Sequence, residues 1–464
     1  MRKSLLTVIV FWICAFVFSF FHPVAAQTPA SARVARTHVI KKGETLYRLT
    51  QLYRVSAEAI CQANPGLSAD HFPIGRELHI PAASESTSAS GASMFAISNR
   101  PTGVEGRKVK AAVVLPFGLD GHLPESARML EFYQGVLIAV DTLKKQGYSV
   151  DLHVYDSGAE GSSIRHILED PVLKTVDLII GGCYWGHIKQ LSDFSKEHRI
   201  RMILPFSSND FFVSNNPELY MVNSPQPQLY PIVQDRFATY FPEAQVFFLD
   251  TNQDKEDKRA FIYGLKQFLA KQKISYETVS PSASAEDMAR RLKKKKLNVM
   301  IPVSGSRAVL EEWMPKLVAL QNDNGKRRIS LFGYPEWQTY TGQYLNRFHA
   351  LDTYIYTAFY TSNLFPSSQN FRAKFRRWFR REPSLGYPRY SMLGYDIALY
   401  FFMTAGQYGM EHFSSSLQKL EKTAPTLQHG FSFRRMNDQG GYINQKIYFI
   451  NFSRTMEVIK TELQ

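Results

Sequence analysis

Cysteine is scarce in this chain: three among 464 residues, Cys14, Cys61 and Cys183. Cys61 and Cys183 fall in segments expected to fold separately, which argues against the disulfide framework of small secreted domains. Both read as small buried hydrophobes. The chain also lacks paired-cysteine spacing and any His-Glu-x-x-His, so it offers no recognisable metal site. It has no Gly-x-Ser-x-Gly turn to present a nucleophile. Ser416-Leu417-Gln418-Lys419 has a Ser-x-x-Lys spacing known from acyl-transfer enzymes, but without their Lys-Thr-Gly and Ser-Asp-Asn companions it reads as coincidence. The expectation is a non-catalytic protein that needs no cofactor and no metal.

Acids are also in deficit. Asp and Glu number 41 against 55 Lys and Arg, for a formal charge of +14. Only one long apolar run occurs, residues 5–21, after Arg2 and Lys3 and before Pro23-Val24-Ala25-Ala26. It falls short of the ~20 apolar residues that span a bilayer. A basic start, an apolar stretch and small residues at its end read as a signal peptide over residues 1–26, cut near Ala26-Gln27. Cys14 sits inside the apolar run without small residues before it, so it does not mark a lipid attachment. Removing two cations leaves 14 − 2 = +12 on the exported chain, with no transmembrane segment remaining. Such a charge draws a protein to anionic surfaces, wall polymers or lipid headgroups. Nucleic acid is not an expected partner, because export and the absence of a reader motif both argue against it.

Residues 37–81 read as a miniature domain of strand, helix, helix and strand. Val39-Ile40 is a short strand, and Gly43 allows the tight turn that leaves it. Glu44 or Thr45 can cap the helix carrying Leu46, Leu49 and Tyr53 at helical spacing. Ser56 caps a second helix with Ala59, Ile60 and Ala63, and Asn64-Pro65-Gly66 ends it, since Pro65 disfavours helical geometry at Asn64. Leu78 and Ile80 alternate with Glu77 and His79 as a half-buried strand. The stretch resembles a LysM domain through the Gly43-Glu44-Thr45-Leu46 turn, the Asn64-Pro65 break and the Gly75-x-x-Leu78-x-Ile80-Pro81 close. Glu44 stands where that family more often has Asp. The resemblance implies binding of N-acetylglucosamine-containing glycan, chiefly peptidoglycan. It places the groove on Gly43, Glu44, Thr45 and Leu46 and on Asn64, Pro65, Gly66, Leu67, Ile74 and Gly75. The plainer reading, that Gly43, Thr45 and Asn64 turn and cap, holds alongside it.

Residues 82–107, rich in Ser, Ala, Thr and Gly and without periodicity, read as a flexible linker. From residue 108 onward strands and helices alternate. The buried-type strands are 109–116, 150–155, 176–181 and 202–205, with helices at 128–145, 164–168 and 188–198 between them. On the first helix Leu130, Tyr133, Leu137 and Val140 are the expected apolar side. A second set has strands at 245–249, 298–303 and 329–333 and helices at 261–272, 285–295 and 308–320. Lys293 to Lys296 are expected at a helix end, where cations suit the macrodipole. Such alternation means βαβ units in a doubly wound sheet.

Two such lobes resemble the type I periplasmic-binding-protein fold, as in branched-chain amino-acid receptors. The resemblance rests on Gln134-Gly135-Val136 with Asp141, on Val176-Asp177-Leu178-Ile179-Ile180-Gly181 with Ser207-Ser208, and on Gly394-Tyr395-Asp396. The expected fold class is therefore α/β: a βααβ LysM module, then a two-lobed doubly wound domain over residues 108–464. Ligands of open α/β sheets sit beyond the carboxyl ends of the strands. Those loops carry Phe117, Tyr184, Trp185, Ser207, Ser208 and Asn209 in the first lobe, and Asp250, Ser304, Glu336 and Trp337 in the second. By the resemblance, Ser207 and Ser208 would hold a ligand carboxylate, and Asp250 or Glu336 an ammonium. Tyr184 and Trp185 replace the family's usual small polar residues and either stack on a sugar or plug the cleft. Residues 371–381 combine Phe371, Phe375, Trp378 and Phe379 with a run of cations. They read as a core-packing helix with a solvated basic side, or as a contact for an anionic polymer or membrane. The functional expectation is an exported protein of the periplasm or cell envelope whose wall module anchors a receptor-like domain for a small polar ligand or wall fragment. The rival is a ligand-free unit that docks an envelope protein and regulates wall synthesis.

Overall fold

The structure is a computed structural model that describes residues 34–41, 49, 52–53, 55, 57–65, 67, 73–81, 108–119, 123–252, 258–322 and 327–463. The expected signal segment, the linker, and Gly43, Glu44, Thr45, Leu46 and Gly66 lie outside the described residues. The chain divides into two compact units, residues 1–98 and 99–464.

In the first unit β1 (Val34–Val39) pairs antiparallel with β2 (Glu77–Pro81), so the strand begins ahead of the expected boundary. Helix α1 (Ala57–Ala63) lies between them in sequence. Ile40, Leu49, Val55, Ile60, Leu67, Leu78 and Ile80 form a small core. The alternation of β2 is realised: Leu78 and Ile80 are buried, while Glu77 and His79 are exposed.

In the second unit the first lobe opens with β3 (Lys108–Leu115), α2 (Ser126–Lys145), β4 (Ser149–Asp156) and β5 (Leu178–Gly181). Then follow α3 (Trp185–His198), β6 (Arg201–Leu204) and β7 (Leu219–Met221). The second lobe contains α4 (Gln226–Tyr240), β8 (Gln245–Leu249), α5 (Arg259–Lys271), β9 (Tyr276–Val279), α6 (Ala285–Arg291) and β10 (Leu297–Pro302). It continues with α7 (Arg307–Asn322), β11 (Arg328–Gly333), α8 (Thr341–Ala350) and β12 (Thr353–Thr357). The chain returns to the first lobe as α9 (Pro366–Phe379), α10 (Tyr390–Tyr408), α11 (Phe413–Leu420), β13 (Phe433–Arg435) and β14 (Tyr442–Asn444). It ends in the second as β15 (Ile447–Phe452) and β16 (Val458–Leu463). The sheets have the orders β13-β14-β7-β6-β5-β3-β4 and β16-β15-β12-β11-β10-β8-β9. The pairs among β3 to β12 are parallel, and the late strands add the antiparallel pairs.

Burial explains why the inner strands read as continuous apolar runs: every residue of β5 and β8 is buried. Helix α2 packs on α10 through two glycines. A Cβ on Gly135 would lie 1.8 Å from the Ser391 carbonyl oxygen, and one on Gly394 would lie 2.0 Å from that of Phe132. Only glycine permits so close a crossing. This crossing corrects the expected face of α2. Met129, Phe132, Val136, Ala139 and Leu143 are buried, whereas Leu130 is exposed, because α10 covers the glycine side. Helix α6 ends at Arg291, so Lys293 to Lys296 form the turn before β10 rather than a helix end. There Asn298 holds the turn, accepting from the Lys293 N–H and donating to the Lys293 and Lys296 carbonyls.

Helix α9 buries Phe371 and Phe375 and pairs Arg372 and Arg376 with Glu382 and Lys374 with Asp141. Its Trp378 is exposed, not part of the packed face.

The lobes are joined where the chain crosses after β7, β12 and β14. Buried Asp396 of α10 accepts from the backbone N–H groups of Leu427, Gln428 and His429 at 2.6–2.9 Å. Burial pushes its pKa up to about 7 against the pull of those N–H groups and of Lys460. Gln428 in turn exchanges hydrogen bonds with the Arg389 backbone and accepts at its carbonyl from Tyr360 N–H, on the crossing after β12.

Candidate functional site

The first unit divides its expected groove residues between surface and core. Pro65, Ile74 and Gly75 are exposed, with Gly75 at φ +86°. Asn64 and Leu67 are buried, which corrects their placement as ligand contacts. The Asn64 amide donates to the carbonyls of Ile60 and His79 at 2.7 and 2.8 Å and accepts from His79 N–H at 2.7 Å. Its hydrogen-bonding capacity is spent on tying the end of α1 to β2. Leu67 fills the core beneath it.

At the carboxyl edge of the first sheet, β3 runs into Phe117, β5 into Cys183-Tyr184-Trp185 and β6 into Phe206-Ser207-Ser208-Asn209. The N–H groups of Phe117, Gly118 and Leu119, with that of Gly158, all donate to the Asp156 carboxylate at 2.7–3.4 Å. Burial raises the pKa of Asp156, but those four bonds outweigh it and hold the group below the usual carboxylate range. An internal anion thus occupies the backbone donors of this strand-end loop. Sequence reading missed Asp156; an acid at the end of an edge strand was the only signal.

Ser207 accepts from Asn209 N–H, and Asn209 accepts from Phe211 N–H, so both side chains shape their own turn. Ser208 is exposed. Trp185, 49% exposed, opens α3 and lies against Phe212 at 4.4 Å and Phe211 at 5.4 Å between ring centroids. Phe211 is 55% exposed and extends the apolar face. Tyr184 is half-buried, edge-on to His187. Cys183 is also half-buried rather than fully enclosed, and burial pushes its thiol up to about 11. Arg128, in the first turn of α2, lies over the Tyr390 ring at 5.9 Å, and Tyr390 abuts Phe206.

The second lobe presents a different picture. Lys258 and Glu336 form an ion pair at 2.5 Å, their side chains 14% and 33% exposed. The Lys258 ammonium also lies 4.9 Å from the centroid of the buried Tyr334 ring. A Cβ on Gly305 would come within 1.9 Å of the Glu336 carboxylate. Trp337 is corrected from cleft to core. It is fully buried, donates from its indole N–H to the Gly305 carbonyl at 3.0 Å and stacks on Phe348. Ser304 is buried and accepts from Ser306 N–H. Asp250 accepts from Thr251 N–H, while the side chains of Thr251 and Asn252 turn to Glu312. The structure brings Ser304, Glu336 and Trp337 together around Gly305, but as a closed cluster. Neither Asp250 nor Glu336 is laid out as an open seat for an ammonium. No cluster of metal-ligating side chains and no helix long and apolar enough to cross a membrane occurs among the described residues.

Residues 38–81 match the LysM domain family. This small unit is a LysM domain. No curated protein matches the chain in sequence. Residues beyond the LysM domain are similar in structure to a putative branched-chain amino acid ABC transporter protein from Rhodospirillum rubrum. That match has a TM-score of 0.52 at 13% identity, covering 76% of this chain and 100% of that one. A branched-chain amino acid ABC transporter periplasmic ligand-binding protein from Burkholderia xenovorans matches at TM-score 0.46 and 12% identity, covering 76% and 96%. An ABC transporter substrate-binding protein from Desulfitobacterium hafniense matches at 0.45 and 14%, covering 76% and 100%. The large unit has the two-lobed type I periplasmic-binding-protein fold, and with the LysM domain before it the expected fold class is met.

Proposed function

We propose that this is an exported, non-catalytic peptidoglycan-binding protein of the periplasm or cell envelope. Its LysM domain anchors a receptor-like domain, whose first-lobe mouth takes a small ligand with an apolar face, such as a wall-derived sugar. The observation that carries the receptor part is the exposed ring of Trp185 against Phe211 and Phe212, at the edge where open α/β sheets bind ligands. Large aromatic surface left open at a pocket mouth is a stacking platform, gaining ~25 cal/mol per Å² it loses to a ligand. Titration calorimetry with soluble fragments of digested peptidoglycan tests this. Trp185→Ala should weaken fragment binding while leaving co-sedimentation with whole peptidoglycan intact. Unchanged fragment binding, with a lower melting temperature alone, would favour the second reading.

That second reading is a ligand-free domain that docks an envelope partner. Its support is the Lys258–Glu336 pair, which engages from within the protein an acid that a ligand's ammonium would need.

A further inference from the structure

In the second lobe, strands β8 to β12 run parallel, so their starts lie along one edge of the sheet, opposite the carboxyl ends. The register sets these starts side by side: Leu297 pairs with Arg328, Asn298 with Gln245, and Val246 with Tyr276. Strand β15 runs the other way, with Phe452 opposite Thr353, so the β15–β16 turn joins the same edge. The described loops along it are residues 241–244, 272–275, 292–296, 327, 351–352 and 453–457. They carry Lys273, Lys293 to Lys296, Arg327 and Arg454 against Glu243, Asp352 and Glu457. Lys271, Arg291 and Arg328 flank them, with one further acid, Glu277. Residues 323–326 lie outside the described residues and hold one charge of each sign.

Three of these four acids are engaged within the protein. Asp352 accepts from Ser330 and Asn451 at 2.9 and 3.0 Å, Glu457 from Thr455 at 3.1 Å, and Glu277 from Gln245 at 3.4 Å. Glu243 is exposed, with no partner among the described residues. The side chains of Lys293 to Lys296 are exposed too, and none of their ammonium groups meets a hydrogen-bond or ion-pair partner among the described residues. Yet the turn that displays them is fixed. Fully buried Asn298 binds the backbone of Lys293, Lys296 and Arg328 at 2.9–3.2 Å.

Apolar side chains stand among these cations. Met456 is 58% exposed in the β15–β16 turn, two residues after Arg454, and its backbone is held at φ +65°. That region favours glycine or asparagine, so a methionine there costs conformationally as well as in hydration. Tyr240, which ends α4, and Tyr276, which begins β9, are exposed at the same edge.

We propose that this edge of the second lobe docks on an anionic phospholipid surface, with the lysines at the phosphates and Met456 and the two tyrosines at the headgroup–acyl boundary. A lysine near an anionic leaflet strengthens attachment by about fivefold. Tyrosine suits that boundary because its ring is apolar and its hydroxyl stays wet. A soluble anionic polymer would use the cations but leave Met456 in water. The inference is independent of what the mouths bind. Docking at this edge turns the carboxyl ends of the second sheet away from the lipid.

Vesicle flotation with the full-length protein tests this, using phosphatidylcholine vesicles with and without about a quarter phosphatidylglycerol. The protein should float with the anionic vesicles, stay behind with the neutral ones, and be released as salt is raised. Lys294→Gln combined with Lys295→Gln should weaken binding about tenfold or more. The turn itself survives this change, because Asn298 grips only its backbone. Arg377→Gln combined with Arg380→Gln removes the same charge from exposed positions at the end of α9 and should leave binding nearly unchanged. Met456→Ser should weaken binding without altering its salt dependence. Equal losses in the two double variants would reduce the effect to total charge and overturn the inference. Flotation that ignores phosphatidylglycerol would overturn it as well. So would tight binding of soluble polyphosphate without flotation, which would make an anionic polymer the occupant of this edge.

Discussion

The ammonium of Lys258 lies 2.5 Å from the carboxylate of Glu336 and 4.9 Å from the centroid of the Tyr334 ring. A carboxylate and an aromatic face are the surroundings that receive a ligand's ammonium. Here a side chain of the protein fills them.

Chemical rescue tests whether that cage is a pre-formed amine seat. Lys258→Ala should lower stability by about 1–3 kcal/mol, because Glu336 is left partly buried without its partner. Adding n-propylammonium should restore the melting temperature of Lys258→Ala. It should do so neither for the wild type nor for Lys258→Ala combined with Glu336→Gln. Equal shifts in all three proteins would show that the cage has no such selectivity.

Asp156 gives a prediction with a definite pH window. Its folded pKa is lowered, so the stability it contributes is full above the ordinary aspartate pKa of ~3.9 and is lost as pH falls through the folded value. Asp156→Asn should cost about 1–3 kcal/mol at pH 7, since one amide oxygen cannot serve four donors. The gap between wild type and variant in urea midpoint should begin to close only as pH drops below about 4. A gap that stays constant from pH 7 to pH 3 would contradict the assignment.

In the LysM domain, Asn64→Ala should destabilise the module by about 2–4 kcal/mol, because it removes buried bonds to Ile60 and His79. Peptidoglycan binding should be lost together with the module's unfolding transition. Loss of binding with the transition unchanged would instead return Asn64 to the glycan surface.

Much of this architecture could be read from the chain, and the reasons are local. Strands buried on both faces, such as β5, leave apolar runs that nothing else in a soluble domain requires. Gly135 and Gly394, quoted for a resemblance, prove to be the two halves of one helix crossing. What stayed hidden depended on contacts distant in sequence. Trp337 follows a strand in a loop that looks open, and only the Gly305 carbonyl and Phe348 make it core. Helix α4 contains Pro231 in its interior, which masks its periodicity. At the site, Trp185 was legible as a bulky residue at a strand end. The engagement of Glu336 by Lys258 and of Asp156 by four N–H groups was not, because the partners come from separate segments of the chain.

The most direct test of the wall-anchored reading is co-sedimentation with insoluble peptidoglycan, comparing the full chain with a chain from which residues 34–81 have been removed. The full chain should pellet with the polymer and the shortened chain should stay in the supernatant at physiological salt. Equal pelleting of both would contradict the account, placing wall attraction in the basic large unit rather than in the LysM domain.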